Sequence, residues 1–203
     1  MNTVKAIGFY GGDETHALSA WTSTRRELTA SKRARIDKML WDLADNEHNT
    51  PFEKSALHFL VTTDIASHIH LLKHRIGVSL NAESARYKEL KDDKYYVPED
   101  WPEHWQHELE RHTMDGFRLY HQATEELTAE LGRKRAKESA RFFIGYSNQI
   151  TADVMFNFRS FMHFQKLRNS EHAQREIRDI AQQMLEITRE TNRFTDSLKA
   201  FKV

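Results

Sequence analysis

No cysteine occurs among the 203 residues. That absence removes disulfides, thiolate-ligated metals, iron–sulfur clusters and any mechanism with a cysteine nucleophile. Proline and glycine are scarce, with three and seven copies, and none cluster into a linker, so we expect one domain spanning residues 1–203. No apolar run approaches the roughly 18 to 20 residues that a membrane-spanning helix needs. The first residues lack a basic segment followed by a signal-type apolar stretch, so the expected setting is the cytoplasm, with no membrane partner. Charge of one sign is missing too: 30 Lys and Arg balance 30 Asp and Glu. A protein that coats nucleic acid draws affinity from an excess of cations. No nucleic-acid polymer is expected, although a local basic cluster can still bind a small phosphate.

What is present suits a globular core under a well-solvated surface: 39% hydrophobic residues, 12 of them Phe, beside 30% charged. Val4 to Tyr10 reads as a short strand closed by Gly11 and Gly12. From Ser31 the pattern turns helical, with Ile36, Met39, Leu40 and Leu43 on one face. The basic run from Arg25 to Arg35 is interleaved with Glu27 and this apolar stripe, so we read it as solvated rather than as a nucleic-acid patch. Thr50-Pro51-Phe52-Glu53 has the form of a capping box with Pro at the first helical position, but Leu57, Phe59 and Val61 alternate immediately after it. Any helix there is about one turn.

Asp64 is placed to cap a helix carrying Ile65, Ile69 and Leu72, which ends in Lys73-His74-Arg75. Gly77 to Tyr87 reads as a polar loop, and Tyr95 to Pro98 as extended. A long helix through Trp105, Phe117, Tyr120 and Leu131 should stop at Gly132. Three further stripes follow: Ala136 to Ile144, Val154 to Met162, and Ile177 to Ile187. The class is α+β, helix-dominated, with a small, mainly antiparallel sheet.

The chemistry concentrates in Lys73 to Tyr87, where Lys73, His74, Arg75 and Arg86 flank hydroxyls, an amide and Glu83. Arginine presents five donors in a rigid, always charged fork, which suits phosphate and carbonyl oxygens. Asn157 and Arg168 form a second constellation. They lie eleven residues apart, so on a continuous helix starting near Thr151 they would project from nearly the same side. Glu138 and Arg141 have the spacing of a helix-surface ion pair, worth about 0.2 to 0.5 kcal/mol. His70 and His74 have the i, i+4 spacing of a metal-binding pair. No adjacent Glu stands where a metalloprotease motif needs its base, and no metal site is expected.

Taken together, these segments resemble the flavin-dependent thymidylate synthase family. The family signature is Arg-His-Arg, seven residues, then a run Ser-x-Arg-Tyr. Here Lys73-His74-Arg75 is followed by eight residues and then Ser84-Ala85-Arg86-Tyr87. Upstream, His48-Asn49-Thr50-Pro51-Phe52-Glu53 is similar to the family's His-x-Thr-Pro-Phe-Glu. Downstream, Glu138-Ser139-Ala140-Arg141, Asn157-Phe158-Arg159-Ser160 and the segment Leu167 to Gln174 occur in the family's order. The chain departs from the signature at Lys73, in the longer loop, and in Asn81-Ala82-Glu83-Ser84, where the acid sits one position later.

The resemblance implies reductive methylation of dUMP at C5, with methylenetetrahydrofolate as carbon donor and NADPH-reduced FAD as hydride source. That route uses no cysteine nucleophile. It also implies that Arg168 meets the uracil ring and favours ionisation at N3. His70, Lys73, Glu83, Ser84, Ala85, Arg86 and Arg141 would join Arg168 around dUMP, with the arginines chiefly on phosphate. FAD would be held by Ser23, Thr50, Lys73, His74, Arg75, Glu83, Asn157, Arg159 and His163. The family's homotetramer, with active sites at subunit junctions, is implied as well. Two alternatives stay open: a related enzyme adding another C5 group, such as hydroxymethyl, and a noncatalytic nucleotide-binding protein.

Overall fold

Four strands and, among the described residues, nine α-helices make up the computed structural model, which describes residues 1–84, 86 and 88–203. The order is β1 (Thr3–Tyr10), α1 (Asp13–Trp21), α2 (Ala30–Arg33), α3 (Ile36–Asp45), β2 (Ala56–Asp64), α4 (Ile65–Leu72), β3 (Val78–Ala82), α5 (Glu103–Leu131), α6 (Arg133–Ala140), β4 (Gln149–Phe156), α7 (Phe158–Arg168), α8 (Arg175–Glu190) and α9 (Thr195–Ala200). The strands form one antiparallel sheet in the order β1-β2-β4-β3. Among the described residues no helix is long and apolar enough to cross a membrane.

Contacts divide the chain into two compact units. The first comprises Met1–Thr3, Thr62–Lys73 and Asn81–Ala152; the second comprises Val4–Val61, His74–Leu80 and Asp153–Val203. In the first, α5 packs on α6. One stripe of α5, carrying Thr113, Phe117, Tyr120 and Thr124, is buried, and Gly132 ends the helix at φ +76° as its sequence position suggests. The Tyr120 hydroxyl accepts a hydrogen bond from the Leu90 amide at 3.1 Å, tying the loop after β3 to α5.

Phenylalanine builds the core of the second unit. Phe52, Phe59, Phe156, Phe158, Phe161 and Phe194 are all fully buried, and the rings of Phe158 and Phe194 stack with centroids 5.3 Å apart. None of the four tryptophans belongs to the core: Trp41, Trp101 and Trp105 are exposed and Trp21 is half-buried. A polar chain threads the phenylalanines. The Ser197 hydroxyl donates to Asp13 at 2.6 Å, so it must accept from Nδ1–H of His16, 2.8 Å away. Nε2 of His16 then accepts from the Ser55 hydroxyl at 2.8 Å. Every member is satisfied, which is what allows a histidine with no exposed surface to sit there.

Three elements differ from the sequence expectation. The segment read as a loop contains strand β3, in which Val78, Leu80 and Ala82 are half-buried while Ser79 and Asn81 face solvent. At the sheet edge one polar set stays wet, so the strand reads as polar chain. Val154 belongs to β4, not to a helix: Ala152, Val154 and Phe156 alternate into the core. The helix starts only at Phe158, because the Asn157 side chain caps it by accepting from the Ser160 amide at 2.8 Å. Thr50–Glu53 is the expected single turn, a 3-10 turn, but no side-chain cap is made there.

Candidate functional site

Helix α4 delivers the signature segment. Asp64 caps it by accepting from the Ser67 amide at 2.8 Å and is itself held by the Asn2 amide at 2.7 Å. Lys73 is the C-cap, with His70 in the last turn. Lys73 and the residues up to Gly77 then leave the helix, and Lys73, Arg75 and Ile76 are exposed.

Within the second unit the His74–Gly77 stretch lies along α7. Gly77 has φ +65°, and a Cβ there would collide with Ser160 Oγ and the Asn157 amide. The close approach has a purpose: the Gly77 carbonyl accepts from the Asn157 amide at 2.9 Å, and Ser160 Oγ donates to the Ile76 carbonyl at 2.7 Å. Further along the helix, Arg168 Nε donates to His74 Nε2 at 3.0 Å. The His74 ring meets Phe164 edge-on at 5.0 Å and His163 at 6.2 Å. Asn157 and Arg168 therefore bracket α7 as its N-cap and its last residue, instead of projecting from the middle of a longer helix.

Arg159, the second residue of α7, donates to Glu53 of the Thr50–Glu53 turn at 2.6 Å. Two cavities adjoin here. One of about 850 Å³ is lined by Asn49, Arg159, His163, Lys166 and Arg189, among others. The other, about 390 Å³, is lined by Ser23, His48 and Thr50. Glu47 and Asn49 line both. Four residues expected to meet FAD thus line these neighbouring cavities, Ser23 and Thr50 the smaller one, Arg159 and His163 the larger. The lining of the larger one combines the cations Arg159, Lys166, Arg189 and Lys202, one side-chain carboxylate, Glu47, and the apolar Met162, Leu185 and Phe201, a set that fits a dinucleotide carrying a diphosphate and a flat ring system.

The first unit holds His70, Lys73, Glu83, Ser84, Arg86 and Arg141; Ala85 and Tyr87 lie outside the described residues. Glu83 pins the end of β3 to β4: its amide donates to the Thr151 carbonyl at 2.9 Å, and its carboxylate accepts the Thr151 amide at 2.9 Å and Lys88 at 3.0 Å. Burial pulls this carboxyl up, but the bonds from Lys88 and Thr151 outweigh it and hold the group below the ordinary glutamate range. Arg86 donates through Nε to Glu138 at 3.0 Å, and its amide reaches Ser84 Oγ at 3.3 Å. The Arg86 hydrogen bond holds the Glu138 carboxyl below its usual range. The helix-surface spacing pointed to Arg141 as the partner of Glu138; the ion pairs formed are with Arg86 and, at 3.8 Å, Arg135. Arg141 opens the exposed 3-10 turn after α6. Among the described residues no three metal-ligating side chains come together.

Sequence reasoning missed Glu47, Asn49, Lys166 and Arg189 as cavity walls. Asn49 stood inside a quoted motif and could have been found; Arg189, on an unmarked exposed face of α8, carried no signal.

A family model described as "Thymidylate synthase complementing protein" matches residues 8–192. The chain belongs to that family. Relatives of the chain include the flavin-dependent thymidylate synthase of Thermosipho melanesiensis, 28% identical over 199 residues, covering 92% of this chain and 85% of that protein. The flavin-dependent thymidylate synthase of Streptomyces coelicolor is 30% identical over 165 residues, 73% of this chain and 65% of the other. Among solved structures, the UMP/dUMP methylase PolB from Streptomyces cacaoi, bound with 5-Br dUMP, is similar over 100% of this chain and 95% of its own, with a TM-score of 0.81 at 25% identity.

Proposed function

We propose that this chain is a flavin-dependent thymidylate synthase, converting dUMP to dTMP with methylenetetrahydrofolate as carbon donor and NADPH as reductant. The observation that carries the proposal is the pair of neighbouring cavities lined by Ser23 and Thr50 and by Arg159 and His163, in a chain of this family. FAD, when bound, supplies the hydride. His74, Arg75 and Asn157, gathered along α7, would hold it with those four, and Lys73 and Glu83 would flank it. Ser84, Arg86 and Arg141 would take the nucleotide, chiefly its phosphate, with His70, Lys73, Glu83 and Ala85 beside them. Arg168 would favour negative charge on the uracil ring, raising electron density at C5. Residues 1–203 would act as one domain of a homotetramer whose sites are completed at subunit junctions.

The purified protein should show a flavin absorption spectrum. It should release tritium from C5-labelled dUMP only when methylenetetrahydrofolate and a reductant are both present. A colourless protein that binds no added FAD and releases no tritium refutes the proposal. A second reading, that UMP is also a substrate, is favoured by the similarity to PolB, a UMP/dUMP methylase. Mass spectrometry of products from each nucleotide decides it, and also distinguishes a methyl from a hydroxymethyl at C5.

A further inference from the structure

The geometry points to His74 as the positioning residue for Arg168, acting as a neutral imidazole that orients the guanidinium without neutralising it. This rests on the function proposed above. Arg168 Nε lies 3.0 Å from His74 Nε2. Arginine carries donors only, so Nε2 must offer a lone pair; the ring is uncharged and keeps its proton on Nδ1. The ring is itself held, edge-on to Phe164 with an interplanar angle of 77°. Its backbone is anchored two and three residues later through the Ile76 and Gly77 carbonyls. A guanidinium presents two edges to ligands, one containing Nε and one made of the two terminal nitrogens. Fixing Nε sets the plane of the group and aims the terminal edge.

Two other arginines expected near ligands are held differently. Arg86 pairs with the Glu138 carboxylate and Arg159 with that of Glu53. Those pairs orient the side chain and cancel part of its field. An arginine meant to stabilise negative charge developing on a ring loses its effect if a carboxylate shares its charge. A neutral acceptor gives orientation and leaves the full positive charge for the substrate. Arg168, the residue expected at the reacting ring, has a neutral acceptor where Arg86 and Arg159 have a carboxylate.

Three substitutions separate orientation from charge. Glutamine places its amide oxygen near the position of Nε2, asparagine near that of Nδ1, and glutamate supplies a charged acceptor. All three lose the same histidine contact to flavin, so turnover is compared at saturating FAD and dUMP, with Kd for each ligand measured separately. We expect kcat to fall about threefold in His74→Gln and about thirtyfold in both His74→Asn and His74→Glu, the scale of one hydrogen bond to a charged group. Equal losses in His74→Gln and His74→Asn, or a His74→Glu variant as active as His74→Gln, overturn the assignment. Independently of turnover or of whether a variant folds, ¹⁵N shifts of His74 in histidine-labelled wild-type protein should report a neutral ring protonated on Nδ1 at pH 7. A charged ring or the opposite tautomer overturns it as well. If wild-type protein neither binds FAD nor turns over dUMP, the functional proposal fails, while the ¹⁵N spectrum still judges the hydrogen bond.

Discussion

Arg168 closes α7, where a cation meets the partial negative charge of the last turn, and its Nε is engaged by His74. Replacing it by alanine removes a charge without opening a cavity in the core, because the side chain is only half-buried. We therefore expect Arg168→Ala to melt within a few degrees of wild type and to bind FAD, yet to release tritium from dUMP about 10²- to 10³-fold more slowly, the scale seen when one stabilising donor is removed. Normal turnover of dUMP by this variant would remove Arg168 from the chemistry. Lys73 is the other informative single residue, since it gives a compact ammonium where the family signature has a fork. In this fold it is the exposed C-cap of α4, a place that favours either cation equally, so the helix end does not explain the exchange.

At the scale of elements, the His74–Gly77 stretch docks on α7 because Gly77 adopts a left-handed φ and has no Cβ to strike Ser160 and Asn157. Gly77→Ala should destabilise the protein by about 1 to 3 kcal/mol through backbone strain and contact. It should also weaken FAD binding in titrations, because the stretch must lift from the helix. An unchanged melting temperature together with unchanged FAD affinity would show that the docking matters to neither.

The same elements show what sequence can and cannot reveal. The cap at Asp64, the single turn at Thr50, the long α5 and its stop at Gly132 were legible because each depends on neighbours within a few residues. Strand β3 was not, because only its place at the sheet edge turns alternating Val78, Leu80 and Ala82 into a strand. The limits of α7 were misread because Val154, Phe158 and Phe161 happen to keep helical spacing across a strand-to-helix junction. Motif residues identified the candidate site, but the pairings Arg86 with Glu138 and Arg168 with His74 join positions 52 and 94 residues apart. No local pattern carries that information.

For the molecule as a whole, the buried chain Ser55–His16–Ser197–Asp13 gives stability a pH dependence. Burial lowers the His16 pKa from 6.5 to about 4. A histidine whose folded pKa is depressed contributes stability that is complete above the unfolded pKa and is lost as pH falls toward the folded one. The loss from this group should reach about 2 kcal/mol by pH 5 and about 3 kcal/mol in full. Asp13 acts in the opposite direction, since burial raises its pKa and its protonation favours the folded state; it offsets part of the loss at the acid end. Urea unfolding from pH 7.5 to 4.5 should show this decline, with a flatter profile in His16→Gln. Parallel profiles for the two proteins would assign the acid sensitivity to other groups.

The placement of aromatic rings has a spectroscopic consequence. The core of the second unit is phenylalanine, while three tryptophans are exposed and the fourth half-buried. Indole emission from the isolated chain already reports water, so unfolding has little further red shift to produce. A blue shift that grows with protein concentration would instead mark indoles covered by another copy. Tryptophan fluorescence, usually a probe of folding, would in this chain serve as a test of whether copies assemble.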